Sequence, residues 1–231
     1  MSPRVIAPAR SAIEATTSDR GMLSEAVFVD NRYPLNAYEA SSAVGGWADS
    51  WGATLLRPHK NLGGHGGQSA AIRYLDPKRD DIVFVVDPDS YPLQDRWMTA
   101  MAEAMKADPK IGTISLNIQI LPERSWQYET LPNGIGIKSL PHPEMYNVTA
   151  FRGAILDLGL QARFRYYGGV EMVMSEHLKR IGYRQVYLAD YHEGPNPETH
   201  DSAYITWKQE HVSGKFNGNF DQYVKENLNG G

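Results

Sequence analysis

The stretch "DDIVFVVDPDSYPL", residues 80–93, decides the fold. Ile82 to Val86 form an unbroken apolar run rich in β-branched residues. Such a run reads as a strand buried on both faces, the kind found inside α/β sheets. It stops abruptly at Asp87-Pro88-Asp89, where two carboxylates are separated by a single proline. In open α/β sheets ligands sit beyond the carboxyl ends of the strands, and Asp87 falls at such an end. Two oxygen donors so close together, one fixed by a strand and one by a proline turn, suit a hard divalent cation that also holds phosphate oxygens. Asp-Pro-Asp-Ser is equally good turn chemistry by itself.

Outward from this run the same rhythm repeats. "RVIAP", "EAVFVDN", "ATLLRP" and "IGTISLNI" read as further strands, and "LNAYEASSAVGGWADSWG" reads as a helix between the second and third of them. The alternation predicts a single α/β domain, Rossmann-like, with a mostly parallel central sheet flanked by helices on both faces. After Ile120 the pattern changes. "LPERSWQYETLPNGIGIKSLPHPEMYN" is rich in proline, glycine and aromatics without a helical period, and is read as a long irregular segment of functional type. A strand near "VTAFRGAIL", a helix over "VEMVMSEHLKRIG", a strand at "QVYLADY" and a polar tail ending in a helix at "FDQYVKENL" complete the chain.

Composition narrows the class. A chain of 231 residues with 42% hydrophobic content can bury one sizeable core. There is no cysteine, which removes disulfide frameworks and thiolate metal sites and suits a reducing compartment. No run has the length of a membrane span and the first residues lack a signal-peptide pattern, so the expectation is a cytoplasmic protein. The net charge of -4 argues against non-specific polyanion binding.

Two further segments carry chemistry. "VFVDN" ends in Asp30, a strand-end carboxylate that can accept a base or ribose hydrogen bond, or cap the helix that follows. "HKNLGGHGGQSAAI", residues 59–72, brings glycines ahead of a helix whose positive end would face a ligand. Its spacing matches neither the dinucleotide fingerprint nor the Walker loop, which removes most support for NAD and ATP-hydrolase readings.

In this order the motifs resemble those of family-2 glycosyltransferases of GT-A fold, from about Val5 to His192. "VIAPAR" is similar to the opening strand and nucleotide-contacting turn, which implies donor contacts at Pro8 and Ala9. "VFVDN" is similar to the base-binding strand, with Asp30 as the acid. "KNLGGHGGQSAAI" is similar to the asparagine and glycine loop, with Asn61, Gly63 and Gly66. "FVVDPDS" resembles the DxD metal motif, implying that Asp87, Pro88 and Asp89 hold the donor and its Mn2+ or Mg2+. "YYGGVEMVMSEHLKRIGYR" looks like the segment with a Glu-Asp pair, a helix and a glycine, and a register set on "GYR" places Glu171 at the catalytic acid. The family often has a metal-binding histidine where His192 stands. The chain departs from the pattern at Val170, which replaces the first acid of the pair, at His177 in place of an arginine, and at Ala9-Arg10 after the first proline.

The residues give their own support. Val170, Val173, Met174, Leu178 and Ile181 fall on one helical face, leaving Glu171 off the stripe and free to serve as a general base or to complement the helix dipole. Glu176 and Asp190 are the substitutes for it. A site of aspartate and histidine suits manganese, with His200 competing with His192 because prolines lie between them. Trp126 and Tyr128 read as an aromatic platform for an acceptor or as loop packing, and the tail from Glu193 to Gly218 as a lid.

The resemblance therefore implies a metal-assisted, inverting glycosyltransferase that takes its sugar from a nucleoside diphosphate donor, a UDP-sugar. Residues 1–120 would bind the nucleotide-sugar and residues 121–231 the acceptor, whether glycan, lipid, protein or modified nucleic acid. Two other classes stay open: a nucleotidyltransferase acting on a sugar phosphate, and a noncatalytic sugar-nucleotide or carbohydrate-binding module.

Overall fold

The computed structural model describes residues 6–31, 38–59, 62–87, 90–118, 126–139, 148–156 and 177–194. The chain opens with helix α1 (Ile6–Thr16) and a short 3-10 turn over Thr17–Met22. The elements β1 (Val27–Val29), α2 (Tyr38–Trp51), β2 (Thr54–Leu56), α3 (Gly63–Leu75) and β3 (Ile82–Val86) then alternate. They are followed by α4 (Trp97–Ala107), β4 (Ile111–Ile118), a hairpin of β5 (Gln127–Thr130) and β6 (Gly136–Ser139), then β7 (Val148–Arg152), α5 (Gly153–Leu156) and β8 (Arg184–Glu193). Among the described residues no helix is long and apolar enough to cross a membrane.

Strands β1 and β2 pair in parallel as a sheet of two, and the other six lie in the order β3-β7-β4-β8-β6-β5. The expectation of a mostly parallel sheet is corrected here. In the six-stranded sheet β4–β8 is parallel, while β3–β7, β4–β7, β6–β8 and β5–β6 are antiparallel. The physical reason is that β7 enters between β3 and β4 in the opposite direction, and an isolated apolar run does not encode its neighbours.

A second correction concerns the opening residues. "VIAPAR" is not a strand, because α1 begins at Ile6 and runs through Pro8 and Ala9. Proline in a first helical turn loses no hydrogen bond, and Ala9, Ala12 and Ala15 behind it are strong helix formers. Ala9 and Ala12 are buried.

The irregular segment expected after Ile120 contains the β5–β6 hairpin. Its turn is closed by Leu131 N–H to the Ile135 carbonyl (2.9 Å) and Gly134 N–H to the Leu131 carbonyl (2.8 Å), with Gly134 at φ +85°. Pro132-Asn133-Gly134 between two β-compatible runs was the available signal.

Alternation along β3 divides the core into two faces. Ile82, Phe84 and Val86 pack with the α4 side, where Trp97, Met101 and Met105 meet Ile114, Leu116, Leu188 and Val148. Trp97, Met101 and Met105 follow i, i+4, i+8 spacing on one helical face, and Phe84 meets Trp97 edge to face at 5.9 Å. Val83 and Val85 point the other way, toward Ile72 of α3 and Leu156 of α5. Helices thus cover both faces of the sheet, as the alternation predicts. The start of α4 is fixed by Asp19, whose carboxylate accepts from Met98 N–H (2.9 Å) and Thr99 Oγ1 (2.6 Å). A buried acid there complements the positive helix end.

Candidate functional site

Two aspartates of the sequence reading, Asp30 and Asp87, lie at strand carboxyl ends and are linked through α3. Asp30 follows β1 and is buried, with its N–H donating to the Leu56 carbonyl at 2.9 Å. Its Oδ2 accepts from Ser41 Oγ of α2 and from Arg57 Nε at 3.4 Å. Beside it, Asn31 Oδ1 accepts the N–H of Leu62, the residue that opens α3.

The glycines in the first turns of α3 have a steric reason. A Cβ on Gly66 would come 2.6 Å from that of Leu62, and one on Gly67 would press on Asn31 Nδ2 at 3.4 Å and Val29 Cγ1 at 3.6 Å. Glycine therefore lets the positive end of a 13-residue helix approach the end of β1 closely. Gly63 is the first residue of that helix. Asn61 lies outside the described residues.

Five residues further along α3, Gln68 Nε2 donates to Asp87 Oδ1 at 3.0 Å. Alternation along β3 puts Asp87 on the α3 face with Val83 and Val85, in agreement with that bond. Ser90 N–H donates to the Asp87 carbonyl at 3.1 Å, closing a four-residue turn. Ser90 is fully buried. Pro88 and Asp89 lie outside the described residues.

The chain after this turn crosses to β8. Leu93 N–H donates to the His192 carbonyl (2.9 Å) and Gly194 N–H to the Tyr91 carbonyl (2.8 Å), bracketing an antiparallel bridge between Pro92 and Glu193. Proline fits there because the ladder bonds fall on its neighbours. Gly194 is required, since a Cβ would lie 2.3 Å from the Tyr91 ring. His192 pairs with Asn117 of β4, two residues beyond the Ser115–Thr149–Val85 row, and so faces the same side as Asp87. Three interstrand steps separate their backbones, about 14 Å.

Gln94 reads His192 twice. Its Oε1 accepts the His192 N–H at 2.7 Å, which fixes the amide orientation and turns the Gln94 NH2 toward His192 Nδ1 at 3.4 Å. Asp87 fits a hard cation well, as a half-buried carboxylate at a strand end oriented by one amide. Gln94 presents its NH2 to His192 Nδ1, whereas a metal-bound imidazole donates from its other nitrogen, so binding through Nε2 requires the Gln94 amide to turn over and give up its bond to the His192 N–H. Among the described residues no group of three acidic or histidine side chains gathers around one point.

Glu171, Glu176 and His200 lie outside the described residues, as does the tail beyond Gly194. Pro8 and Ala9 sit in the first turn of α1, with Ala9 packed inward. Trp126 meets Tyr187 edge to face at 5.4 Å and has the Lys138 ammonium 3.9 Å above its ring centroid, so that ring is engaged within the fold. Tyr128 is exposed. His177 is held below the ordinary histidine range, first by burial and then by Arg180. Gln68, Gln94, Tyr91 and Gly194 were not singled out by sequence, because amides and a tyrosine carry no motif until pairing is known.

No family model matches the sequence, and no curated protein matches it. Solved structures do. The fold is similar to that of GalNAc-T7 with UDP, GalNAc and Mn2+, over 76% of this chain and 38% of that one, with a TM-score of 0.57 and 14% identity. It is also similar to the mannosyltransferase PcManGT from Pyrobaculum calidifontis in complex with GDP-Man and Mn2+, over 91% of this chain and 58% of that one, with a TM-score of 0.58 and 19% identity. The chain spans well under two thirds of the length of either. The likeness is one of fold, and the fold is of the GT-A glycosyltransferase type.

Proposed function

We propose that this chain is a metal-assisted glycosyltransferase that moves a sugar from a nucleoside diphosphate sugar, a UDP-sugar, to an acceptor hydroxyl with inversion. The carrying observation is the link from Asp30 and Asn31 through the start of α3 to Gln68 and Asp87, which joins two strand carboxyl ends. Asp30 would accept from the base or ribose. The N–H groups that open α3, including the Gly63 and Gly66 region, would face the diphosphate, with Asn61 before them. Asp89 and His192 would hold the ion, with Asp87, whose backbone lies about 14 Å from that of His192, nearby on the donor side. When bound, Mn2+ or Mg2+ would neutralise charge developing on the departing diphosphate. Gln68 keeps the Asp87 carboxylate turned toward the α3 face. Glu171 would take the proton of the acceptor hydroxyl, from the side of the sugar opposite the diphosphate, as inversion requires.

The test is a donor-hydrolysis and binding screen over UDP-Glc, UDP-GlcNAc, UDP-GalNAc and GDP-Man, with and without Mn2+. Metal-dependent binding and turnover of a UDP-sugar, abolished in Asp89→Ala with the melt unchanged, is the expected result. A preference for GDP-Man would overturn the choice of base, and absence of metal-dependent binding to all four would overturn the reading.

A further inference from the structure

On the other face of the sheet, at the same carboxyl edge, the described residues line a half-open cavity of about 320 Å³ between α4, the β5–β6 turn and the end of β8. Arg96, Thr99, Glu103, Ile135, Asp190 and Tyr191 line it. We propose that this cavity is a binding subsite for one neutral sugar unit of the acceptor, a proposal that rests on the glycosyl-transfer reading and names the acceptor class.

Three irregularities of the backbone converge on this cavity. Arg96 has φ +60° and ψ +24°, and among the described residues Asp76, which ends α3, is the other non-glycine with positive φ. A left-handed arginine is uncommon and persists where surroundings hold it. β8 carries a bulge: between the Ser115–Tyr187 and Asn117–His192 pairs, four of its residues (188–191) oppose the single residue Leu116. That bulge brings Asp190 and Tyr191 to the cavity wall, and bulges often re-aim side chains beside active sites. The β5–β6 turn, with Gly134 at φ +85°, is tied to α4 by Asn133 Nδ2 donating to the Glu103 carbonyl at 3.1 Å. The walls are therefore fixed to one another before any ligand arrives.

The lining specifies the ligand. The Arg96 guanidinium donates, and the Glu103 and Asp190 carboxylates accept, so adjacent hydroxyls of a sugar find both kinds of partner. Two carboxylates against one guanidinium disfavour an anionic ligand such as a uronate or a phosphate. The volume is at the low end for small-molecule sites, which suits a single sugar ring. The donor anchors lie on the α3 face, whereas this cavity lies on the α4 face, so donor and acceptor would approach the common edge from opposite sides.

The experiment uses the full chain and ligand-observed saturation-transfer NMR with cellobiose, maltose, chitobiose, mannobiose and lactose. At least one should bind, with affinity falling roughly tenfold or more in Arg96→Gly and in Glu103→Ala, as expected for loss of a charged hydrogen bond. Glycine keeps the left-handed backbone at residue 96, so its loss of binding reports the guanidinium, and thermal melts confirm both folds. UDP and Mn2+ binding, measured by calorimetry, should stay within about twofold, since neither residue touches the donor anchors. Binding of no disaccharide, binding unchanged in both variants, or tighter binding of a glucuronate-containing disaccharide would each overturn the subsite. If disaccharides bind and both variants lose them while no nucleotide sugar is bound or hydrolysed, the cavity stands as a saccharide site and the transferase reading falls.

Discussion

Gly194→Ala tests whether the bridge between Tyr91–Leu93 and the end of β8 holds the Asp87–Asp89 turn in place. The added Cβ would lie 2.3 Å from Cζ, 2.4 Å from Cε2 and 2.7 Å from the hydroxyl of Tyr91. Carbon atoms settle at about 3.5–4.0 Å, so the ring must retreat by roughly 1 Å or more. It cannot do so independently, because the Tyr91 carbonyl accepts the Gly194 N–H at 2.8 Å. Overpacking of this kind costs about 1–3 kcal/mol, and loss of the bridge bond adds about 1 kcal/mol. The expected destabilisation is about 2–4 kcal/mol, or roughly 4–16 °C in Tm for a chain of this size. Metal-dependent UDP binding, read by calorimetry, should weaken as the segment after Asp87 shifts. The Tyr91→Ala, Gly194→Ala cycle isolates the cause: with the ring gone the methyl group has room, so the double variant should match Tyr91→Ala and show a coupling of about 1–3 kcal/mol. A Gly194→Ala protein with parental Tm and parental binding would refute the reasoning.

Gln94→Glu keeps the acceptor for the His192 N–H and places a second carboxylate oxygen against Nδ1, which favours the Nε2 lone pair on a metal; Mn2+ affinity, titrated by its EPR signal, should rise by up to roughly tenfold. Unchanged affinity would remove His192 from the ion and leave His200. His177 is held neutral in the fold, so below the ordinary histidine pKa the unfolded chain binds the extra proton; stability should fall as pH drops below about 6.5 and level off below the folded pKa. Urea melts from pH 5 to 8 should show that slope in the parent and a flatter one in His177→Gln. Glu171→Gln should leave donor binding intact and lower transfer by roughly 10²-fold or more at saturating donor and acceptor; near-parental turnover would move the base to Glu176.

The strands were legible where composition alone decides them. Ile82–Val86 reads as buried on two faces, and the structure packs helices on both, yet β3 is the edge strand of its sheet and Val83 alone of the five residues is buried. What pairs with that strand was not legible, because β7 is contributed from 62 residues beyond Val86 and its antiparallel direction depends on a connection no local pattern encodes. At Pro8 the reading gave too much weight to two β-branched residues and too little to the alanines behind them. Carboxylates stand out in sequence because they are costly to bury, which is why Asp30 and Asp87 were singled out, and the structure puts both at strand carboxyl ends. Gln68 and Gln94 are chemically unremarkable side chains until α3 and β8 bring them within hydrogen-bond distance of Asp87 and His192.

The two carboxylates at the end of β3 can now be weighed against plain turn chemistry. A capping turn needs only the Ser90 N–H on the Asp87 carbonyl, and that bond is present. It does not need Gln68 to orient the Asp87 side chain from another helix, nor Ser90 buried at 0% exposure, nor an antiparallel bridge to a strand three positions away in the sheet. Each of these adds long-range constraint to a segment of eight residues, Asp87 to Gln94, and ordering backbone costs about 1–2 kcal/mol per residue. The fold anchors the described parts of this segment, at Asp87 and from Ser90 to Gln94, without a ligand. Under the proposed function, anchoring of this kind would lower the cost of holding a cation beside Asp87.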